Sequence, residues 1–225
     1  MENFKMSLFS IYSKIKQFKY LWFFWMLVML LALITILSIG SNEFSIRVNN
    51  QNTIFLDYFF KYITFLGDGV LLYILSLLLF FLDRQWALLS IISLLFTTII
   101  VQVLKRVLFS DIYRPSRVFK NLIEEGSWHV IEGVELYDRF SFPSGHTALS
   151  FCFLFIICYY LKSNFWAFLL IITAFLVGFS RIYLTQHFLI DVWFGSLIGS
   201  FISLLIVTFF DKLISGISFV KPQNE

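Results

Sequence analysis

The sequence has few charged residues and almost no cysteine, and both shortages restrict what the protein can be. Of its 225 residues 14% are charged, and its two cysteines, Cys152 and Cys158, lie inside one apolar run. That position favours buried thiols over a disulfide or a metal pair. No cluster of histidine, cysteine and carboxylate has metal-ligand spacing, so we expect no metal and no other cofactor. The formal net charge of +3 gives no reason to expect a nucleic-acid partner.

Apolar residues dominate instead. The chain is 59% hydrophobic and 20% aromatic, and its mean hydropathy is +0.84. A soluble domain of this length cannot bury so much apolar surface. No internal repeat, low-complexity tract or linker interrupts the pattern. We therefore predict an all-α membrane protein whose single domain covers residues 1–225.

Six apolar stretches approach the length of about 20 residues that crosses a bilayer as helix. They are Tyr20–Ile39, Gly69–Leu82, Trp86–Phe109, Thr147–Leu161, Phe165–Leu184 and Phe188–Phe210. The second and fourth are short, and we expect each to borrow residues from its flanks. The first follows lysines as a signal peptide would, but it exceeds the usual apolar core of about 7–15 residues. We therefore predict six spans in one bundle, with the first span retained.

Two of the segments between the predicted spans are long. Gly40–Asp68 mixes aromatic side chains with single charges, which is typical of a short interfacial helix between spans 1 and 2. A seventh span there is the alternative. The second long segment, Ser110–Pro143, contains six acidic and four basic residues.

Basic residues predict the orientation of the bundle. They occur in the first 19 residues, in the short turns and in the tail, at Lys5, Lys14, Lys16, Lys19, Arg84, Lys162, Lys212 and Lys221. Cytoplasmic segments are enriched in lysine and arginine. We expect both termini in the cytoplasm and both long segments outside.

Polar residues cluster at three places, each at the outer end of a predicted span. The clusters are "LKRVLFSDIYRP" with Lys105, Arg106 and Arg114, "SFPSGHT" with Ser144, Gly145 and His146, and "SRIYLTQHFLIDVW" with Arg181, His187 and Asp191. Because successive spans alternate in direction, all three clusters are predicted to meet on one membrane face. Charged groups at membrane depth are rarely left without a function.

These residue types suit phosphoryl transfer. Lysine and arginine bind phosphate oxygens, and a helix that begins near Ser144 offers free N–H groups to an anion. Two histidines could serve as nucleophile and general acid. Asp191 comes four residues after His187, so on a helix the two would share a face, where the carboxylate can fix the imidazole tautomer.

The clusters resemble the signatures of the type 2 phosphatidic acid phosphatase family. Ser180-Arg181, five residues, His187, three residues and Asp191 is similar to its third signature, and "PSGH" at Pro143–His146 to its second. The first signature is a lysine, six residues and Arg-Pro. Here Arg114 and the proline after it fit, but eight residues separate Lys105 from Arg114. Either Lys105 serves with a longer spacing, or Arg106 substitutes.

The resemblance, carried by residues 105–191, implies a role for each matched position. His187 would be the nucleophile that forms a phosphohistidine, Asp191 would orient it, and His146 would be the general acid. The phosphate would be bound by Lys105, Arg114, Ser144, Gly145 and Arg181. The family's fold is similar to that of the vanadium-dependent haloperoxidases, which are soluble, so the spans favour a phosphatase.

The substrate implied is a lipid phosphate or pyrophosphate at the outer face of the membrane. If the chain is bacterial, it would lie in the inner (plasma) membrane, and the candidates are undecaprenyl pyrophosphate, phosphatidylglycerol phosphate, phosphatidic acid and the phosphates of lipid A. The sequence does not choose among them, and it leaves the oligomeric state open.

Other interpretations use the same residues differently. Alone, Arg181 could be an interfacial anchor, His146 a helix cap, and Asp191 a counter-ion. A transporter or channel is the alternative function, but ionisable groups near the midplane and repeated halves would be expected of it. His129 has no motif partner and is predicted to be a loop residue. Arg139 lies near "PSGH" and could reach a second phosphate.

Overall fold

A computed structural model describes residues 2–217, with side chains for residues 10–210. All its regular elements in that range are helical. The helices are α1 (Glu2–Gln17), α2 (Lys19–Ser38), α3 (Ser41–Asn49), α4 (Ile54–Ile63), α5 (Gly69–Leu79), α6 (Arg84–Val103), α7 (Pro115–Val118), α8 (Lys120–Glu124), α9 (Gly145–Leu161), α10 (Asn164–Tyr183) and α11 (Leu189–Ile217). Thr64–Gly67 adds a 3₁₀ turn after α4, and Leu104–Leu108 adds a π-helical turn after α6. Of the predicted cytoplasmic tail, Lys221 lies outside the described residues.

Within residues 2–217, four helical segments are long and apolar enough to cross a membrane. They are Lys19–Ser38, Arg84–Leu108, Asn164–Tyr183 and Leu189–Phe210. Each coincides with one of the four predicted spans of full length, which are thereby confirmed as apolar helices. The fourth predicted span lies in α9, which is apolar but shorter, with 17 residues.

The second predicted span is part of a bent pair of helices. Ile54–Gly67 and Gly69–Leu79 meet at an angle of 53°. Asp68 lies at the bend. Its carboxylate accepts hydrogen bonds from the N–H groups of Val70 and Leu71 and thereby caps the start of α5. The pair is one broken span or a re-entrant segment, so the six-span count and the interfacial helix stay predictions.

Helix α9 is the centre of the bundle. Phe151, Cys152 and Phe155 are at most 1% exposed, and they belong to a core that includes side chains of α2, α10 and α11. Cys152 and Cys158 are free and buried, as predicted. An apolar helix that is buried on all sides needs no amphipathic pattern.

Two glycines bring α11 very close to α9. A Cβ atom on Gly195 would lie 2.6 Å from the carbonyl oxygen of Ser144, and one on Gly199 would collide with the carbonyl oxygen of Ala148. Small residues four apart allow two backbones to approach in this way. The contact places the start of α9 against the start of α11.

The segment Ser110–Pro143, which we call the outer segment because it is predicted to lie outside, packs on the ends of the helices. Trp128 stacks on Phe119, with ring centroids 4.3 Å apart. His129 lies in a loop, as predicted, and its Nε2 is 2.9 Å from Asp57 Oδ2 of α4. The Tyr183 hydroxyl also donates to Asp57, at 2.7 Å. Asp57 of α4 thus binds both the outer segment and α10.

Candidate active site

The three polar clusters meet around one cavity of about 230 Å³. Six of the residues singled out in the sequence line it, namely Lys105, Arg114, Gly145, His146, Arg181 and His187. The remaining wall is formed by Gly69, Gln102, Tyr137 and Leu149. Helices α5, α6, α9 and α10 and the outer segment therefore all contribute to one anion-sized space.

His187 is held in the loop between α10 and α11. Its backbone N–H donates to the carbonyl oxygen of Arg181 at 3.0 Å, and its side chain is 2% exposed. Its Nδ1 lies 3.4 Å from Asp191 Oδ2 and has no hydrogen-bond partner among the described residues. Because Nδ1 faces Asp191, Nε2 faces the cavity.

The four-residue spacing of His187 and Asp191 does bring the two together, but not through a shared helical face. Helix α11 begins at Leu189, so His187 precedes it. The Asp191 carboxylate instead accepts a hydrogen bond from the backbone N–H of Phe188 at 2.9 Å, which closes the turn at the start of the helix.

Asp191 also joins the second and third clusters. Its Oδ2 accepts from the Ser141 hydroxyl at 2.5 Å, and its backbone carbonyl accepts from the N–H of Ser144 at 3.0 Å. The side chain is 1% exposed. It does not line the cavity.

Lys105 and Arg114 are oriented by neutral oxygens. Lys105 Nζ donates to the carbonyl oxygen of Phe140 at 2.9 Å. Arg114 Nε donates to the carbonyl oxygen of Arg139 at 2.9 Å. Its Nη1 donates to the backbone oxygen of Gln186 at 3.2 Å and to its side-chain Oε1 at 3.1 Å. A carbonyl fixes a cation without cancelling its charge.

Arg181 is held in the same manner. Its Nη1 donates to the Thr64 hydroxyl at 2.7 Å, its Nε has no partner among the described residues, and the residue is 8% exposed. In the described part of the chain no carboxylate forms an ion pair with any of the three cations. Buried, unpaired positive charge favours an anion in the cavity.

Lys105, not Arg106, faces the cavity. Arg106 is exposed, its Nε donates to Gln102 Oε1 at 3.0 Å, and its guanidinium lies over the ring of Phe140. The lysine precedes Arg114 by more residues than the family signature has, and the π-helical turn Leu104–Leu108 lies in this stretch. Such turns accommodate an extra residue and recur at functional sites.

The start of α9 faces the cavity through Gly145 and His146. Ser144, in contrast, is fully buried behind it, and its hydroxyl accepts from the Thr147 hydroxyl at 2.8 Å and from the Thr147 N–H at 3.5 Å. The backbone N–H groups of Gly145 and His146 donate to none of the described residues. These first N–H groups and the positive end of the helix dipole favour an anion.

The electrostatics favour a neutral His187. Burial first, and then the three neighbouring cations, lower the pKa of His187 well below its usual range. Burial also lowers the pKa of Arg114, although an arginine stays protonated at neutral pH. A neutral imidazole with Nδ1 facing a carboxylate presents a lone pair on Nε2.

Sequence reasoning missed two buried polar residues of this site. Ser141 precedes "PSGH" by two positions, and Gln186 directly precedes His187. Both are at most 2% exposed. A polar residue beside a motif in an apolar chain is the signal that could have identified them.

Comparison with known proteins identifies relatives of this arrangement. The model of the PAP2 superfamily matches residues 86–215. Comparison with curated proteins gives no match. The fold is similar to the crystal structure of Aquifex aeolicus LpxE, with 27% identity, a TM-score of 0.63, and coverage of 73% of this chain and 93% of that one.

A second similar structure covers more of the chain. It is the crystal structure of the first transmembrane PAP2-type phosphatidylglycerolphosphate phosphatase from Bacillus subtilis, with 21% identity, a TM-score of 0.62, and coverage of 92% of this chain and 99% of that one. At this identity the likeness concerns the fold. The family match spans more than half of the chain and includes every predicted site residue, and the chain therefore belongs to the PAP2 superfamily.

Proposed function

We propose that the protein is an integral membrane lipid phosphatase that releases phosphate from a lipid phosphate or pyrophosphate through a phosphohistidine at His187. The observation that carries the proposal is the cavity itself, in which two buried cations, Lys105 and Arg181, and the half-buried Arg114 surround two histidines. Among the described residues, all three cations are bound only by neutral oxygens. This arrangement matches the charge and shape of a phosphoryl group in transfer.

In the first step the Nε2 lone pair of His187 forms a bond to phosphorus while the bond to the leaving lipid oxygen breaks. His146 gives its proton to that oxygen. The cations at Lys105, Arg114 and Arg181 neutralise the charge on the three equatorial oxygens, and Asp191 stabilises the imidazole as it becomes positive.

In the second step water attacks the phosphorus of the phosphohistidine. His146, now neutral, takes a proton from the water, the P–N bond breaks, and the electron pair returns to His187 Nε2. Inorganic phosphate then leaves the cavity. His146 thus acts as acid and then as base, as microscopic reversibility requires.

The substrate proposed is a lipid whose tail stays in the bilayer while its phosphate enters from the outer face. The cavity wall supports this because it combines cations with Leu149 and with Gly69 and Gln102 of two apolar helices. Undecaprenyl pyrophosphate, phosphatidylglycerol phosphate, phosphatidic acid and lipid A phosphates remain the candidates. One structural neighbour is named a phosphatidylglycerolphosphate phosphatase. That name gives the lipid on which the neighbour acts.

The test is phosphate release by purified protein from these four lipids, with a chelator present. We expect release from at least one lipid, and we expect His187→Ala to lower kcat by on the order of 10³-fold or more. Orthovanadate should compete with the substrate. Unchanged turnover in folded His187→Ala would refute the phosphohistidine, and a strict need for added metal would refute the metal-independent mechanism.

Two neighbouring residues give a matched control. Lys105→Met removes a cation from the cavity, and we expect it to lower kcat/KM by about 10²–10³-fold. Arg106→Met removes a cation that faces outward, and we expect less than about a threefold change. Equal losses in both variants would contradict the proposed phosphate site.

A further inference from the structure

Gln186 is a buried polar residue to which no signature assigns a role. It is 2% exposed and directly precedes the proposed nucleophile. Its Oε1 and its backbone oxygen both accept from Arg114 Nη1, at 3.1 and 3.2 Å, and its Nε2 donates to the carbonyl oxygen of Glu135 at 2.8 Å. A buried amide whose oxygen and nitrogen each bind a different segment helps to fix both segments.

The second partner of Gln186 belongs to a segment that crosses the site. We call residues 135–141 the strap. Three of its carbonyl groups accept hydrogen bonds from site cations: Asp138 from the Arg114 N–H at 2.9 Å, Arg139 from Arg114 Nε, and Phe140 from Lys105. Two more carbonyl groups accept from neutral side chains: Glu135 from Gln186, and Tyr137 from Ser116 at 2.6 Å. The charged side chains of the strap are exposed. The strap thus contacts the cations through neutral groups.

These contacts leave one side of the Arg114 guanidinium unused. Nε is bound to the strap and Nη1 to Gln186, whereas Nη2 donates to none of the described residues. Arg114 also lines the cavity. Because a guanidinium is planar, fixing two of its nitrogens fixes the direction in which the third presents its N–H groups.

We propose that Gln186 is a positioning residue, which holds the Arg114 guanidinium between the strap and the nucleophile loop so that its free edge faces a phosphate in the cavity. This inference depends on the proposed function in one respect, which is that the anion bound by Arg114 is the phosphate of the substrate. Gln186 itself touches no reacting atom.

The test uses Gln186→Met, which keeps the length of the side chain and removes its amide. The probe is inorganic phosphate, and its Kd is measured by calorimetry on the purified full chain in detergent, which requires no turnover. We expect Gln186→Met to raise this Kd about tenfold, and to raise the KM for lipid more than it lowers kcat, because Arg114 binds ground state and transition state alike. Gln51→Met, an exposed glutamine remote from the cavity, is the matched control and should leave Kd unchanged.

A double-mutant cycle with Arg114→Ala separates positioning from a purely structural effect. If Gln186 acts through Arg114, then Gln186→Met changes the phosphate Kd less than about twofold when Arg114 is absent. The same loss in both backgrounds, or no loss in the wild-type background, would overturn the proposal. Should Gln186→Met fail to fold, Gln186→Leu takes its place in the same cycle, since it also removes the amide and adds no charge.

The outcomes distinguish this inference from the proposed function. Coupled phosphate binding without release of phosphate from any lipid would support the positioning role and refute the phosphatase. Release of phosphate from a lipid without coupling between Gln186 and Arg114 would support the phosphatase and refute the positioning role. Failure of the wild-type protein to bind phosphate would refute the positioning role.

Discussion

At the scale of single residues, Asp191 has more partners than an orienting carboxylate needs. It accepts from the Ser141 hydroxyl and the Phe188 N–H through one oxygen, and that same oxygen lies 3.4 Å from His187 Nδ1. The carboxylate closes the loop at the start of α11, and in the proposed mechanism it also stabilises positive charge on His187. Asparagine can do the first task because its oxygen still accepts both hydrogen bonds.

We therefore predict that Asp191→Asn folds and binds phosphate but loses turnover. The neutral amide no longer stabilises the imidazole as it gains charge, so kcat should fall by about 10²–10⁴-fold. Steady-state kinetics gives kcat, and thermal unfolding in detergent with and without inorganic phosphate reports fold and binding. Turnover equal to that of wild type would exclude the orienting role.

A second residue-scale prediction concerns pH. In the proposed mechanism only neutral His187 is a nucleophile, so activity should be present above its pKa and should be lost as the pH falls through it. Because burial and the cations lower this pKa, the acidic limb of kcat/KM that His187 causes should lie below its ordinary value of about 6.5.

Removal of one cation tests whether the cations lower the pKa of His187. In Lys105→Met one of the positive charges that lower the pKa of His187 is gone, so the acidic limb should move to higher pH than in Arg106→Met. The ionisation of the lipid phosphate is the same for both proteins and cancels in the comparison. An identical limb in the two pH profiles would show that the cations do not set the pKa of His187.

At the scale of helices, the distance between the two proposed catalytic histidines depends on how closely α9 and α11 pack. The first carries His146 and the second carries Asp191. The backbone hydrogen bond from Ser144 to Asp191 and the close approach at Gly195 lie at the same end of this pair. A change in the helix–helix distance there moves one histidine relative to the other.

We predict that Gly195→Ala lowers both stability and kcat. Its new methyl group would lie 2.6 Å from the Ser144 carbonyl oxygen, a backbone atom, so the helices must separate. Overpacking of this kind costs about 1–3 kcal/mol. The measurements are the thermal unfolding midpoint and kcat. Leu205→Ala, on the exposed side of α11, is the control and should retain kcat. A Gly195→Ala protein with normal kcat would show that this contact does not position the histidines.

At the scale of the whole molecule, the described charges of the site lie at one end of the bundle, and the short turns lie at the other. The wall of the cavity comes from the end of α6, the starts of α5 and α9, the end of α10 and the outer segment. Gln85, at the start of α6, belongs to the opposite end. Charges gathered at one end suit an enzyme on one membrane face better than a transport path.

We predict that the end with the cavity is outside the cell. A membrane-impermeant maleimide should label Glu125→Cys in intact cells, and should label Gln85→Cys only after the membrane is permeabilised. The two native cysteines are at most 1% exposed, so they should add little background. The reverse pattern of labelling would place the active site in the cytoplasm and contradict the proposed orientation.

From the sequence alone we could predict the membrane character, the four full-length apolar helices, the family and six cavity residues. Composition, span length and motif spacing are local properties of the chain, and each had a direct physical meaning. His187 and Asp191 could be paired from their spacing alone, because residues four apart are close in a helix and in the turn that is present here.

Three-dimensional packing was needed to choose Lys105 over Arg106, to place Ser144 behind the cavity, and to reveal Gln186, Ser141 and the strap. The choice of lysine depends on a π-helical turn that no residue pattern announces. The strap contacts the cations through backbone carbonyl groups. Because every residue has such a group, the side chains of the strap do not reveal these contacts. Such contacts join segments far apart in the chain, and they arise from packing rather than from any local periodicity.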